Sequence, residues 1–397
     1  MTSTAYDVMA PFHERAARDE ALATLRREDP VHWDEANGWW LLTRHADVRE
    51  VSRSPETFSS EPRGPWHVTE YTFSMQAMDG ERHRRHRGVV SRAFTPRLVA
   101  MLEERAERYA DEAIDALAGR RSAEFVEELA VPVPLRIIAD MIGVADADLG
   151  RFRAWSDALV LAGGGHGDEA ALAETMRLMT DFLGFLGEAV DRRRREPGDD
   201  VLSLIVRAGT EGVLDGDARL HLDGDEIRDF ALFLLVAGNE TTRNAIAQGM
   251  LALFEHPEER ARLAANESLW TTATDEIARW TSPVRAMRRV ALHDTTLGGR
   301  AIRAGDSVVM VYASANRDEA VFDEPHRFRV DRDPNEHLAF GFGPHYCLGA
   351  NLARMEIRAV LRSVLRRLPG VRLADGGVAV PTPSALIDGL DALPVEW

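Results

Sequence analysis

The sequence predicts a mainly α fold with a few small β-sheets. Long stretches between residues 98 and 195 and between 225 and 254 carry apolar residues at helical spacing. Only short runs, such as Pro30-Val-His-Trp33 and Trp39-Trp-Leu-Leu-Thr43, read as strands. No internal repeat or low-complexity linker divides the chain, so a single domain over residues 1–397 is expected.

Composition narrows the function classes. With 45% hydrophobic and 28% charged residues, the chain can bury a large core. Its formal net charge of -17 argues against nucleic-acid binding and against docking on an acidic membrane surface. A single cysteine excludes disulfides, thiolate zinc sites and protein-bound iron–sulfur clusters. It suits a reducing compartment, and a cytoplasmic location is expected. The start, Met1-Thr-Ser-Thr-Ala-Tyr-Asp7, has neither the basic nor the apolar region of a signal peptide. No apolar run approaches the roughly 20 residues of a membrane span, so no membrane anchor is expected.

Taken in order, residues 20–58 mix helix with a short strand pair. Residues 59–78 hold Pro62, Gly64, Pro65, Trp66, Tyr71 and Phe73, and read as a long binding loop. Asp79-Gly-Glu-Arg-His83-Arg-Arg-His-Arg87 opens a helix. Amphipathic runs at 99–118, 134–142 and 169–195 predict three more, with a hinge at Gly163-Gly-Gly165. Residues 225–254 form the longest helical pattern, about 45 Å at 1.5 Å per residue. A run from Pro257 leads to a helix with Asp275-Glu276-Ile-Ala-Arg279-Trp280, stopped by Pro283. Residues 285–313 read as strands, a coil with Pro325 and Pro334 follows, and a last helix over 350–368 ends at Pro369-Gly370 before a β tail.

The lone cysteine lies in Phe340-Gly-Phe-Gly-Pro-His-Tyr-Cys347-Leu-Gly349, immediately before that last helix. Glycines let backbone approach something flat and large. Helix-start N–H groups favour a thiolate, which is what a haem iron takes as an axial ligand. In the longest helix, Phe230-Ala-Leu-Phe-Leu-Leu-Val-Ala237 is apolar all round, predicting burial. The polar stretch Gly238-Asn-Glu-Thr-Thr-Arg-Asn244 interrupts it, and such groups need partners or a use. A packed polar patch is the plain alternative. A threonine there can bond back to a carbonyl one turn earlier.

Phe-Gly-x-Gly-x-His-x-Cys-x-Gly resembles the haem-binding loop of the cytochrome P450 family. The resemblance implies that family's helix-rich triangular prism and a haem b with Cys347 as its thiolate ligand. It implies a monooxygenase that inserts one oxygen atom of O2 into a C–H bond of a hydrophobic small molecule, with electrons passing from NAD(P)H through ferredoxin reductase and ferredoxin. Glu240-Thr241 resembles the family's acid–alcohol pair, and Ala237 and Gly238 match the small residues beside the iron. Glu276 and Arg279, with Arg332 and Arg329 as runner-up, resemble its structural ion pair behind the cysteine loop. His83, Arg87, Arg289 and His345 match positions that bind the haem propionates, and His337 reads as a structural histidine. Arg84, Arg85 and Arg288 are neighbours whose plain reading is a solvated charge.

Trp66, Phe73, Leu235, Val236, Val284, Met287 and Leu386 are the expected substrate pocket. The motif contexts look like those of actinobacterial oxidases of sterols and branched lipids, with terpenoids and polyketides open. Arg354, Arg358, Arg362 and Arg366 recur every fourth residue, joined by Arg367 and opposed only by Glu356. With Arg82, Arg84, Arg85 and Arg92, this ridge would steer an acidic ferredoxin; a plain solvated face is the alternative. A peroxide-driven peroxygenase and a non-enzymatic haem-thiolate sensor are the rival functions. Peroxygenases of the family usually lack the acid–alcohol pair that this chain keeps.

Overall fold

The computed structural model describes residues 7–8, 10, 14–61, 75–91, 96–164, 169–198, 200–215 and 218–397. Helices supply most of it, as the periodicity predicts. They include Gly80–Ser91, Pro96–Asp115, Pro132–Ile142, Leu149–Gly164, Glu169–Arg195, Gly224–Glu255, Trp270–Thr281 and Ala350–Arg367. The hinge expected at Gly163-Gly-Gly165 falls where one helix stops at Gly164, and residues 165–168 lie outside the described residues.

The 32-residue helix Gly224–Glu255 crosses the molecule. Its start is fixed by a capping box: the Asp223 carboxylate accepts from the Asp225 and Glu226 amides, and Glu226 reaches back to the Asp223 amide. Glu226 also accepts from Arg85 and lies 3.0 Å from the ring of His86, so one carboxylate ties this helix to Gly80–Ser91. Burial pushes its carboxyl up, but Arg85 and the capping bond outweigh this and bring it down to about 2.

The apolar run in this helix is not buried all round. Phe230, Ala231 and Leu235 are buried, whereas Leu232, Phe233, Leu234 and Ala237 are half-buried. Leu232 and Leu234 still pack against the main core, whereas Phe233 is half-buried and is not among the residues packed on it. Gly238 is explained by packing: a Cβ there would sit 2.6 Å from Cδ1 of Ile138 on Pro132–Ile142. A side chain at Gly238 would point at this neighbouring helix, so packing is one reason for the glycine besides the place beside the iron that the resemblance implies.

One sheet has five strands in the order Val31–Asp34, Trp39–Leu42, Ser307–Val311, Ala286–Ala291, Phe58–Ser59. The Trp39–Leu42 and Ser307–Val311 pair is parallel and the others antiparallel. Near the C-terminus Val380–Pro381 pairs with Leu390–Ala392, and the turn between them folds back against Gly224–Glu255.

The arginine ridge of Ala350–Arg367 forms, but Glu356 does not oppose it. Arg358 pairs with Glu103, Arg362 with Glu107 at 3.1 Å, and Arg366 with Asp111 at 3.2 Å. Each pair is 255 residues apart, so the helix runs parallel to Pro96–Asp115 in a constant register. Arg367 adds contacts to Asp111 and Asp115. Glu356 is buried on another side of the helix, and burial alone pushes its carboxyl well above the usual carboxylate range. The expected free basic patch is therefore a charge zipper between two helices.

Candidate active site

The cysteine loop is shaped by its glycines. Gly341 and Gly343 have φ of 69° and 70°, a region costly for other residues. A Cβ on Gly343 would lie 2.6 Å from the Ser52 carbonyl oxygen, so the loop is pressed against the end of helix His45–Arg53. The Cys347 amide donates to the Phe340 carbonyl at 2.8 Å, which closes the loop. The Cys347 side chain is accessible to solvent, yet enough protein surrounds it that burial pushes its thiol up; it sits in a walled recess. The Gly349 amide, Arg87 and Arg354 act in the opposite direction but are outweighed. The helix-start N–H groups expected to favour a thiolate thus lose to desolvation in the protein alone.

The four residues matched to propionate binding come together beside this recess. The His83 and His345 rings pack at 31° to each other with centroids 4.1 Å apart. Burial, then the charges of His345 and Arg87, push His83 down to about 4, with Arg289 adding to the effect. Burial likewise lowers His345, Arg87 and Arg289. Ser60 Oγ lies 3.1 Å from His345 Nε2, and Asp79 Oδ1 lies 3.6 Å from the same atom. His83 Nε2 is buried and has no hydrogen-bond partner among the described residues. The guanidinium groups of Arg87 and Arg289, together with a buried ring nitrogen left unsatisfied, fit an anionic group. The carboxylates of a haem are such groups.

Behind the loop lies a buried ion cluster. Arg279 donates through Nε and Nη2 to Glu276 at 2.7 and 2.8 Å, and Arg332 donates through Nε at 3.0 Å. Arg329, the runner-up, contributes only its backbone amide to Glu276, at 2.9 Å, while its side chain turns to Asp331 and Asp323. Arg279 also donates to the carbonyls of Asn316, Pro325 and Arg327, so all five of its N–H groups have acceptors. Asp275, next to Glu276, carries the connection to the loop. It accepts from Arg354 at 2.6 Å and lies 3.2 Å from His337 Nε2. Arg354 stacks over the Phe340 ring and donates to the Tyr346 hydroxyl at 3.3 Å.

On Gly224–Glu255, Thr241 Oγ1 donates to the Ala237 carbonyl at 2.7 Å. Glu240 is buried and points elsewhere. Its Oε1 accepts from Asn244 Nδ2 at 2.8 Å, and its Oε2 lies 2.7 Å from Arg243 Nη2 in an ion pair too poorly aligned to be a hydrogen bond. Successive helix residues diverge by about 100°, so the acid and the alcohol occupy different faces. Asn244 and Arg243 were not singled out by sequence reasoning. The signal was there: Glu240, Asn244 and Gln248 recur every fourth residue and so share one face of the helix.

Of the expected pocket residues, Trp66 and Phe73 lie outside the described residues, as does the side chain of Val236. Val284 bridges Ile387, and the Arg285 amide donates to the Leu386 carbonyl at 2.8 Å, which joins strand Ala286–Ala291 to the C-terminal turn. Val284, Met287 and Leu386 are half-buried. Leu235 is completely buried in the main core rather than facing open space, a correction that follows from its position on the helix. A surface cleft lined by Arg151, Arg177, Asp181, Phe185 and Glu188 shares none of these residues.

Known proteins carry the same architecture. Residues 173–369 match the cytochrome P450 family model. The methyl-branched lipid omega-hydroxylase of Mycobacterium tuberculosis is 41% identical over 404 residues, covering 96% of this chain and 91% of that protein. The chain is a cytochrome P450. The steroid C26-monooxygenase of Mycolicibacterium smegmatis is 36% identical over 97% of this P450 and 94% of its own length. Among solved structures, a Mycobacterium marinum cytochrome P450 in complex with pseudoionone superposes with a TM-score of 0.85 at 34% identity, over 97% of this chain and 96% of the other. The P450 is thus a haem-thiolate monooxygenase by family. No described helix is long and apolar enough to cross a membrane.

Proposed function

We propose that this P450 hydroxylates a hydrophobic lipid of the methyl-branched or steroid type, using haem b on Cys347 and electrons from NAD(P)H through ferredoxin reductase and ferredoxin, in the cytoplasm. The observation that carries the cofactor assignment is the unsatisfied His83 Nε2, close to the charges of Arg87 and Arg289 and beside the exposed residue Cys347. Cys347 would be the axial ligand, and His83, Arg87, Arg289 and His345 would hold the haem carboxylates. When bound, the haem supplies the dioxygen activation and oxygen-atom transfer that side chains cannot. A carboxylate partner and an iron both favour the ionised forms of these groups, reversing the desolvation that depresses the cations and raises the thiol.

The protein's own part is positioning and proton control. Glu240, held by Asn244 and Arg243, is the proton-exchanging carboxylate. Thr241 donates its proton to the Ala237 carbonyl, which leaves its oxygen lone pairs to accept from a water; rotating the hydroxyl redirects that one donor away from Ala237. The half-buried Phe233, Val284, Met287 and Leu386 exclude bulk water and favour an apolar substrate. The substrate class rests on these residues and on the names of the relatives. Electron delivery by an acidic ferredoxin is supported by the exposed Arg82 and Arg84, with the zipper arginines only partly available.

A spectral binding panel of methyl-branched fatty acids and steroids, followed by turnover with ferredoxin and reductase against turnover with peroxide, tests this reading. Thr241→Val is expected to bind haem and substrate normally while NADH consumption yields hydrogen peroxide in place of product. Tight coupling in that variant would exclude Thr241 from proton control. Turnover that runs on peroxide and not on ferredoxin would favour the peroxygenase reading.

A further inference from the structure

The C-terminal turn and the proton-exchanging carboxylate are linked by one buried amide. Asn244 is fully buried. Its Nδ2 donates to Glu240 twice, to the carbonyl oxygen at 3.0 Å and to Oε1 at 2.8 Å. Its Oδ1 accepts from the Leu390 amide at 3.1 Å. These bonds fix which end of the amide faces which neighbour, because only the nitrogen donates and only the oxygen accepts from a backbone N–H.

The turn has little freedom to move independently of this amide. A Cβ on Gly389 would fall 2.3 Å from Asn244 Oδ1, so the turn backbone lies directly on the amide. One helical turn further, Gln248 Nε2 donates to the Asp388 carbonyl at 2.6 Å, and Arg18 pairs with the Asp388 carboxylate. The same turn contributes Leu386 and Ile387 next to Val284 and Arg285, on the side read above as substrate-facing.

We propose that Asn244 is a positioning residue that couples the substrate-facing turn Ser384–Leu390 to the carboxylate of Glu240. A shift of the turn moves the Leu390 amide and the Gly389 backbone, which rotates the Asn244 amide and so changes the donor that Glu240 Oε1 receives. The proton-exchanging group thereby senses whether the apolar side is occupied. The inference rests on the reading of Glu240 as that group.

The test uses the haem-loaded protein and two variants that act from opposite ends. Asn244→Leu removes the donor while keeping similar bulk. Gly389→Ala keeps every functional side chain and pushes on the amide from the turn. Infrared difference spectra against Glu240→Gln isolate the Glu240 carboxylate stretch. Both variants are expected to shift that band in the substrate-free protein. Substrate binding is expected to shift it in wild type but not in Asn244→Leu, a readout that a merely structural role would not move. The absence of a substrate-induced shift in wild type overturns the coupling. Ferredoxin-driven turnover should fall about tenfold in Asn244→Leu, the low end of what losing a hydrogen bond to a charged group costs. An unshifted band in Gly389→Ala overturns the coupling even if Asn244→Leu fails to fold. If Glu240→Gln turns over like wild type, the proton role of Glu240 fails, whatever the band does. If Glu240→Gln is slow while Gly389→Ala matches wild type in band and rate, this inference fails and that role stands.

Discussion

Two polar clusters flank the cysteine loop, and they are finished to different degrees. Behind it, Glu276, Arg279 and Arg332 are almost completely buried, and every N–H of Arg279 finds an acceptor within the chain. Beside the Cys347 recess, His83 Nε2 is just as sheltered but has no acceptor or donor among the described residues, and burial depresses His83, Arg87, Arg289 and His345. A buried cluster satisfied by its own chain is architecture. One left unsatisfied is a receptor, because its missing partner must come from elsewhere. The first cluster should therefore matter to folding and the second to cofactor retention.

The sharpest way to break this contrast is Cys347→Ser. The thiolate-type red-shifted band of the reduced carbon monoxide complex should vanish entirely, while the haem-free protein melts where wild type does. Survival of the band would remove Cys347 as the ligand. Glu276→Ala comes next. It leaves Arg279 and Arg332 buried without their carboxylate, at a cost of about 3–5 kcal/mol. Denaturant unfolding of the haem-free protein should show that loss directly, and poor haem incorporation should follow from it. Normal stability would mean the cluster is not the brace described.

His83→Gln should act the other way round. Haem affinity should fall about tenfold while the haem-free protein is as stable as wild type or slightly more so, since a depressed buried imidazole is removed. The pH dependence carries a definite sign. With a folded value of about 4 against 6.5 unfolded, haem-free His83 stays neutral while the unfolded chain takes up a proton. Its contribution to stability is complete above pH 6.5 and falls as pH drops from 6.5 to about 4. Supplying haem carboxylates should raise the folded value and shrink that loss. Imidazole NMR titrations with and without haem measure it, and identical curves would remove His83 from the cradle. The smallest effect belongs to the zipper: Arg366→Ala should cost at most about 1 kcal/mol, and less in high salt, because the pair is exposed. A larger loss would place it with the brace.

Much of this was legible in the sequence because it is local. Helices announced themselves by period, the cysteine loop by its glycines, and Thr241 by its ability to bond back to Ala237. What escaped depends on distant partners. Nothing near Arg358 reveals that Glu103 faces it, and nothing near Asn244 reveals Leu390. The packing role of Gly238 was hidden for the same reason, since Ile138 is what fills its side-chain direction. For the thiol, the local N–H contribution was legible and acts in the expected direction, while the opposing desolvation was not visible in the sequence.

The zipper has one more property, which concerns information rather than energy. Acids at Glu103, Glu107, Asp111 and Asp115 face arginines that also repeat every four residues. Sliding Ala350–Arg367 by one helical turn, about 6 Å, would set Arg358 against Glu107, Arg362 against Asp111 and Arg366 against Asp115, opposite charges again. The ladder is a ruler whose marks are all alike, so it holds the helices together without saying where. Their alignment must be read from the unrepeating buried side, where Leu102, Ala106 and Tyr109 differ in size, and from the single bond of Ser363 to Asp111. Because Cys347 precedes this helix by three residues, the height of the sulfur in its recess is set by the shape of that buried side.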